Sequence, residues 1–169
     1  MDSILVVCYS YTGTSRRAAQ LLSSHHGWPL GEVVDPEPRG TLRCVLDSLL
    51  RRRPPVMYDG PPPGDFRTVV LVAPIWMYRL AGPMRSFVAR YKDQLPRVAV
   101  IATQGGGGAS NAFAEVSHIL GHAPVATAAF LQREIEDGSG TGRLLAIGTL
   151  LVPPSVEAQL QPARIAPAA

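Results

Sequence analysis

Short apolar runs alternate with stretches of helical periodicity along this chain, and that alternation admits few folds beyond a parallel sheet with helices on both faces. Residues 4–9 (Ile-Leu-Val-Val-Cys-Tyr) are near-continuously apolar, as expected of a strand buried on both sides. Further strands are expected over 30–34, 68–73, 97–103 and 125–131. The first helix is expected over 14–24, with Ala18, Leu21 and Leu22 inward. A second starts at a Thr41 cap, and its Leu42, Val45, Leu46, Leu49 and Leu50 make an amphipathic stripe ending at Arg51, Arg52 and Arg53, where cations favour the helix dipole. A third starts at Pro83 and turns Met84, Phe87, Val88 and Tyr91 inward; a fourth, capped by Ser110, buries Phe113, Val116, Ile119 and Leu120; the last covers 144–152. Residues 54–64, with five prolines, read as a loop, 138–142 as a turn and 153–169 as a loose tail. Five strands and five helices in strict alternation give one doubly wound α/β domain over 1–152, with strand order 2-1-3-4-5. In such a sheet the loops after strands one, three and four gather where the order reverses, and ligands bind there.

Composition removes several alternatives. Of 169 residues, 46% are hydrophobic and 17% charged, which excludes wholesale disorder. The longest apolar stretch, residues 69–78, is ten residues and contains Pro74, well short of the roughly 18 to 20 that span a bilayer. No secretory pattern follows Asp2, so a cytoplasmic location is expected. Cys8 and Cys44 lie within apolar patterns and lack the spacing of disulfide frameworks or metal sites, so both are expected in the core and no metal is expected. His25, His26, His118 and His122 fall at predicted helix ends or turns, which gives none of them a catalytic role. The net charge of +3 is concentrated between Arg39 and Arg97, where eleven basic residues face four acidic ones. Neither interleaved aromatics nor a reading motif accompanies that charge, so nucleic acid is not an expected partner.

Chemistry is expected in three loops. In the first, Ser10, Tyr11, Thr12, Gly13, Thr14 and Ser15 separate a buried strand from a helix, and their hydroxyls, with the backbone N–H groups of a helix N-terminus, make an anion cradle that has no lysine. A dinucleotide fingerprint needs three glycines, and only Gly13 is present; a P-loop needs a lysine, and there is none. A cysteine phosphatase built on Cys8 needs an arginine six residues on, where Thr14 stands. In the second, Pro74, Ile75, Trp76, Met77 and Tyr78 follow the third strand, and Trp76 or Tyr78 offers a flat apolar wall to a planar ring. In the third, Thr103, Gln104, Gly105 and Gly106 open a glycine loop whose backbone amides are accessible because no side chain blocks the approach.

The pattern Ser-x-Thr-Gly-x-Ser, carried by Ser10, Thr12, Gly13, Thr14 and Ser15, resembles the FMN-phosphate loop of the flavodoxins. The segment Leu-Ala-Gly-Pro-Met-Arg-Ser-Phe over 80–87 is similar to one in the flavodoxin-like NAD(P)H:quinone reductases of the tryptophan-repressor-binding-protein family, and the glycine loop is closer to theirs than to the aromatic, acidic loop of the carriers. The resemblance implies a flavodoxin-like fold and an FMN cofactor bound by the three loops. It also implies one of three roles: an electron carrier serving a redox partner protein; an NAD(P)H-dependent quinone reductase, often oligomeric, with Arg79 or Arg85 receiving an anionic substrate; or a cofactor-free interaction or regulatory domain. The chain departs from the carriers in being basic, and residues 138–152 match no motif of either group.

Overall fold

In the computed structural model, the described residues are 3–36, 40, 50 and 53–152. The expected second helix with its Thr41 cap, Cys44, Arg51, Arg52 and the tail 153–169 lie outside them. The elements follow the sequence as β1 (Ile4–Cys8), α1 (Thr14–His26), β2 (Leu30–Val34), β3 (Met57–Asp59), β4 (Thr68–Trp76), β5 (Arg79–Leu80), α2 (Gly82–Tyr91), β6 (Val98–Gln104), α3 (Ala109–Leu120), β7 (Ala126–Leu131), α4 (Gln132–Glu136) and α5 (Thr141–Leu151).

Among the described residues the sheet has seven strands where five were expected. Its order is β3-β2-β1-β4-β6-β7, with β5 paired to the end of β4, and the members from β2 to β7 are joined by parallel ladders. The first additional strand, β3, runs antiparallel to β2 inside the proline-rich window read as loop. Three residues between prolines carry no alternation long enough to announce a strand. The second, β5, exists because β4 runs three residues past its expected end at Ala73 and folds back, pairing Trp76 with Arg79 and Ile75 with Leu80. α4 was not expected either, being only five residues long. Ser110 does not cap α3; Gly108, with φ of +102°, stands there.

Alternation along the buried strands divides the core into two layers. Leu5, Val7, Val69, Leu71, Val98 and Val100 point to one face, where Met84, Phe87 and Val88 of α2 and Ala112 and Val116 of α3 cover them. Val6, Cys8, Val70, Val72 and Ile101 point to the other, beneath Ala18, Ala19 and Leu22 of α1 and Leu144 of α5. Strands with helices on both faces are buried along their length, which is why β1 and the first six residues of β4 are apolar apart from Thr68.

Cys8 sits in the second layer, as its place in the apolar run suggests. Burial, reinforced by the Glu32 carboxylate, pushes its thiol up from 9.0 to about 12, so the reactive thiolate is suppressed. Iodoacetamide at pH 8 is therefore expected to leave Cys8 unmodified in the native protein and to alkylate it in denaturant, as read by peptide mass spectrometry. The sign of the linkage follows. Between pH 9 and about 12 the unfolded chain releases this proton and the folded chain keeps it, so stability falls as pH rises through that window.

Candidate functional site

The parallel strands β1, β4 and β6 end on one edge of the sheet, and the three chemistry-bearing loops lie there together. Each tie between them is a specific contact. Trp76 meets Tyr9 edge-on (centroids 5.8 Å apart, planes at 83°) and Tyr11 likewise (5.7 Å, 90°), which joins the first loop to the second. Tyr9 is anchored in turn by donating its hydroxyl proton to Asp35 Oδ2 at 3.0 Å. Ser15 and Thr103, both buried, share a hydrogen bond of 2.7 Å between their hydroxyls, which fastens the first turn of α1 to the start of the third loop.

Gly13 is the pivot of the first loop. Its φ of +100° is a left-handed conformation that disfavours residues with a Cβ, and the place where a Cβ would stand is open, with no atom within 4 Å. It occupies the N-cap of α1, where no side chain caps the helix and no acidic residue lies in the first turn. The first-turn N–H groups of a helix have no partner within it and lie at the positive end of the helix dipole, where an anion is favoured. Ser10 turns back to accept the Gly13 N–H at 3.0 Å. Thr12 and Tyr11 are exposed, whereas Thr14 and Ser15 are buried.

Thr14 brings in a residue that sequence reasoning missed. Its hydroxyl donates to Glu136 Oε1 at 3.3 Å, across 122 positions of sequence. Glu136, which also accepts from Gln132 at 2.6 Å, lines a cavity of about 450 Å³ with Gly105, Leu131, Gln132 and Arg133. No local pattern announces this neighbour, because it belongs to the short helix after β7.

The second loop is a two-residue hairpin. Met77 (φ +47°) and Tyr78 (φ +63°) form its turn, and both are exposed. A pair of positive φ values suits the twist of a hairpin, but Asn and Gly are the residues that adopt it at low cost. With Met and Tyr each left-handed residue costs on the order of 1–2 kcal/mol, and the surrounding contacts hold them there. Ala81 N–H donates to Pro74 O at 3.0 Å, and the Tyr78 backbone lies directly over Gly108, where a Cβ would collide with it.

The glycine loop thus divides in function. Gly108 makes room for Tyr78 and Gly107 lies against its ring, whereas Gly105 and Gly106 face open space. Gln104, at the end of β6, holds its side-chain oxygen buried without a hydrogen-bond partner, an acceptor that a bound molecule could satisfy.

Arg79 and Arg85 are placed differently from the loops. Arg85 projects from the first turn of α2 and is 2% exposed, donating to Glu115 Oε1 at 3.2 Å, while Arg79 on β5 reaches the same oxygen at 3.5 Å. They line a cavity of about 710 Å³ with Arg53, Met77, Tyr78, Asn111, Ala114, Glu115, His118 and Ile119. Glu115 and His118 carry no sequence signal for this role, since α3 reads as an ordinary amphipathic helix.

No family model matches the sequence, and no curated protein does. Solved structures do resemble it. One is a flavoprotein from Lactobacillus acidophilus NCFM in complex with FMN, with a TM-score of 0.68 at 19% identity over 82% of this chain and 99% of that one. The Trp repressor binding protein from Bacillus subtilis gives a TM-score of 0.56 at 15% identity, covering 90% and 99%. A flavodoxin, WrbA-like protein from Agrobacterium tumefaciens gives 0.53 at 10%, covering 89% and 98%. The fold is flavodoxin-like.

Proposed function

We propose that this chain binds FMN non-covalently and passes electrons through it to a redox partner. The observation that carries the reading is the uncapped N-terminus of α1 beside the open left-handed Gly13, which has the donors and the room that a terminal phosphate needs. FMN ends in one such phosphate, whereas FAD continues into a second nucleotide that a closing helix end would obstruct. In this reading Ser10, Thr12, Gly13, Thr14 and Ser15 frame the phosphate. Trp76 and Tyr78, with Tyr11, border the ring; Gln104, Gly105 and Gly106 present polar backbone and side-chain groups to its edge. Pro74, Ile75, Met77 and Thr103 shape the same loops from behind. FMN supplies reversible electron transfer, which no side chain on this edge offers, and the chain binds, orients and partly desolvates it.

A second reading, an NAD(P)H-dependent quinone reductase, is favoured by the arginine-lined cavity that shares Met77 and Tyr78 with the second loop. A carrier needs only an exposed ring edge; an enzyme with a second substrate needs a second pocket.

Acid release followed by chromatography tests the cofactor, and recovery of FMN is expected. Recovery of FAD, or an apoprotein that takes up no FMN, overturns the proposal. In the same preparation Tyr78→Ala is expected to weaken FMN binding by about 0.5–1.5 kcal/mol, the worth of an aromatic contact beyond burial. Unchanged affinity and unchanged flavin quenching in both Tyr78→Ala and Trp76→Ala would remove the second loop from the site.

A further inference from the structure

We propose that Thr103 is a positioning residue for the candidate cofactor site: acting through Ser15, it ties the α1 cradle to the start of the third loop and makes the site select FMN over riboflavin, which lacks the phosphate. The selection rests on the FMN reading above; the tie itself does not.

Thr103 is held on both sides, standing in register with Pro74 of β4 and Phe130 of β7 in the parallel ladders. Side chains alternate along a strand, so Thr103 shares a face with Ala99 and Ile101, the face that α1 covers. Further along α1 the contacts with that face are apolar, through Ala18, Ala19 and Leu22. At its first turn the contact changes in kind. Ser15 and Thr103, 1% and 3% exposed, meet there through the hydrogen bond of 2.7 Å between their hydroxyls. Apolar contacts are non-directional and tolerate sliding, whereas a short hydrogen bond fixes a distance and an angle. Apolar residues of the same shape would fill such a place with little change in stability, so what the polar pair adds is position.

Two hydroxyls carry two protons, and the bond between them uses one. When Thr103 donates, Ser15 keeps its own proton for an acceptor at the N-terminus of α1. An anion in the cradle favours that arrangement, because hydrogen bonds in a chain polarise and strengthen one another. Thr103 thereby orients a hydroxyl of the phosphate frame from the strand whose next residues, Gln104 and Gly105, lead into the third loop. A ligand that engages one loop alone gains little from the tie. FMN engages both, since its phosphate and ring are covalently joined, and a preset span between the two ends lowers the ordering cost of binding the second once the first is bound.

Fluorescence titration with FMN and with riboflavin tests the selection. Thr103→Val keeps the shape and removes the hydroxyl, Thr103→Ser keeps the hydroxyl, and circular dichroism checks folding. Expected in Thr103→Val is a loss of FMN affinity of about tenfold, the effect of one buried hydroxyl left unsatisfied, against less than about twofold for riboflavin. In Thr103→Ser, FMN affinity is expected to stay near that of the wild type. A role in stability alone would weaken both ligands alike, so equal losses, unchanged FMN affinity in Thr103→Val, or no rescue by Thr103→Ser overturns the proposal. Amide relaxation measurements on the flavin-free protein test the tie. Order parameters of residues 13–16 and 104–106 are expected to fall together in Thr103→Val and in Ser15→Ala. A fall confined to the loop that carries the substitution, or none, overturns it. Failure of the wild type to take up FMN would sink the flavin reading and the selection with it, whereas the relaxation arm needs no flavin and still decides the tie.

Discussion

Replacing Gly13 by aspartate is expected to abolish FMN uptake while costing the native state only about 1–2 kcal/mol. The stability term comes from forcing a residue with a Cβ to φ of +100°, since the space around that Cβ is open and adds no collision. The binding term is larger, because a carboxylate would stand at the helix end where the phosphate is to be received. Two like charges about 5 Å apart at an effective dielectric of 20 repel by about 3 kcal/mol per charge pair, more than a hundredfold in affinity. Gly13→Ala separates the two terms by carrying the strain without the charge. Fluorescence titration with FMN reads affinity and thermal melting reads stability. Retained FMN affinity in Gly13→Asp would reduce the first loop to a turn. The converse change, Glu136→Gln, removes a carboxylate that Thr14 already holds beside the cradle, and tighter binding is expected from it, more so at low salt.

The second large effect is on stability. Glu115→Gln is expected to destabilise the fold by about 3 kcal/mol, because it takes a carboxylate partner from the Arg85 guanidinium, which is 2% exposed. In a domain of this size that lowers the melting temperature by about 6–12 °C. Arg85→Met removes the buried charge instead of its partner and should cost less, although Glu115 then keeps only Arg79. Melting of Glu115→Gln within 2 °C of the wild type would mean that the Arg85–Glu115 pair contributes little to the fold.

The buried strands were legible because a strand covered on both faces is apolar almost throughout, as β1 is and as β4 is from Val69 onward. β3 and β5 were not, since three-residue and two-residue strands have no periodicity to read. The hairpin was hidden for a second reason: its turn is Met77-Tyr78, without the Gly, Asn or Asp that signals such a turn, so residues 74–78 read as an open loop. In the first loop, composition alone pointed to a candidate anion cradle at the N-terminus of α1, because hydroxyls around a glycine between a buried strand and a helix have a local physical meaning. It did not reveal that Ser15 spends its hydroxyl on Thr103, nor that Glu136 stands opposite Thr14. Arg85 was legible as basic, but not as buried. It lies beside the inward stripe of α2, and the carboxylate that makes its burial tolerable is thirty residues away on α3.

The fit of Tyr78 over Gly108 makes the second and third loops a single inherited unit. A side chain at 108 collides with the hairpin, and the left-handed φ of +102° there disfavours a Cβ as well. Drift in the hairpin is therefore held by the third loop, and relatives of this chain that keep the Met77–Tyr78 turn should keep a glycine at the position of Gly108. Anyone recombining this scaffold would have to exchange residues 74–81 and 103–108 as one cassette; a crossover between them would join halves that no longer fit.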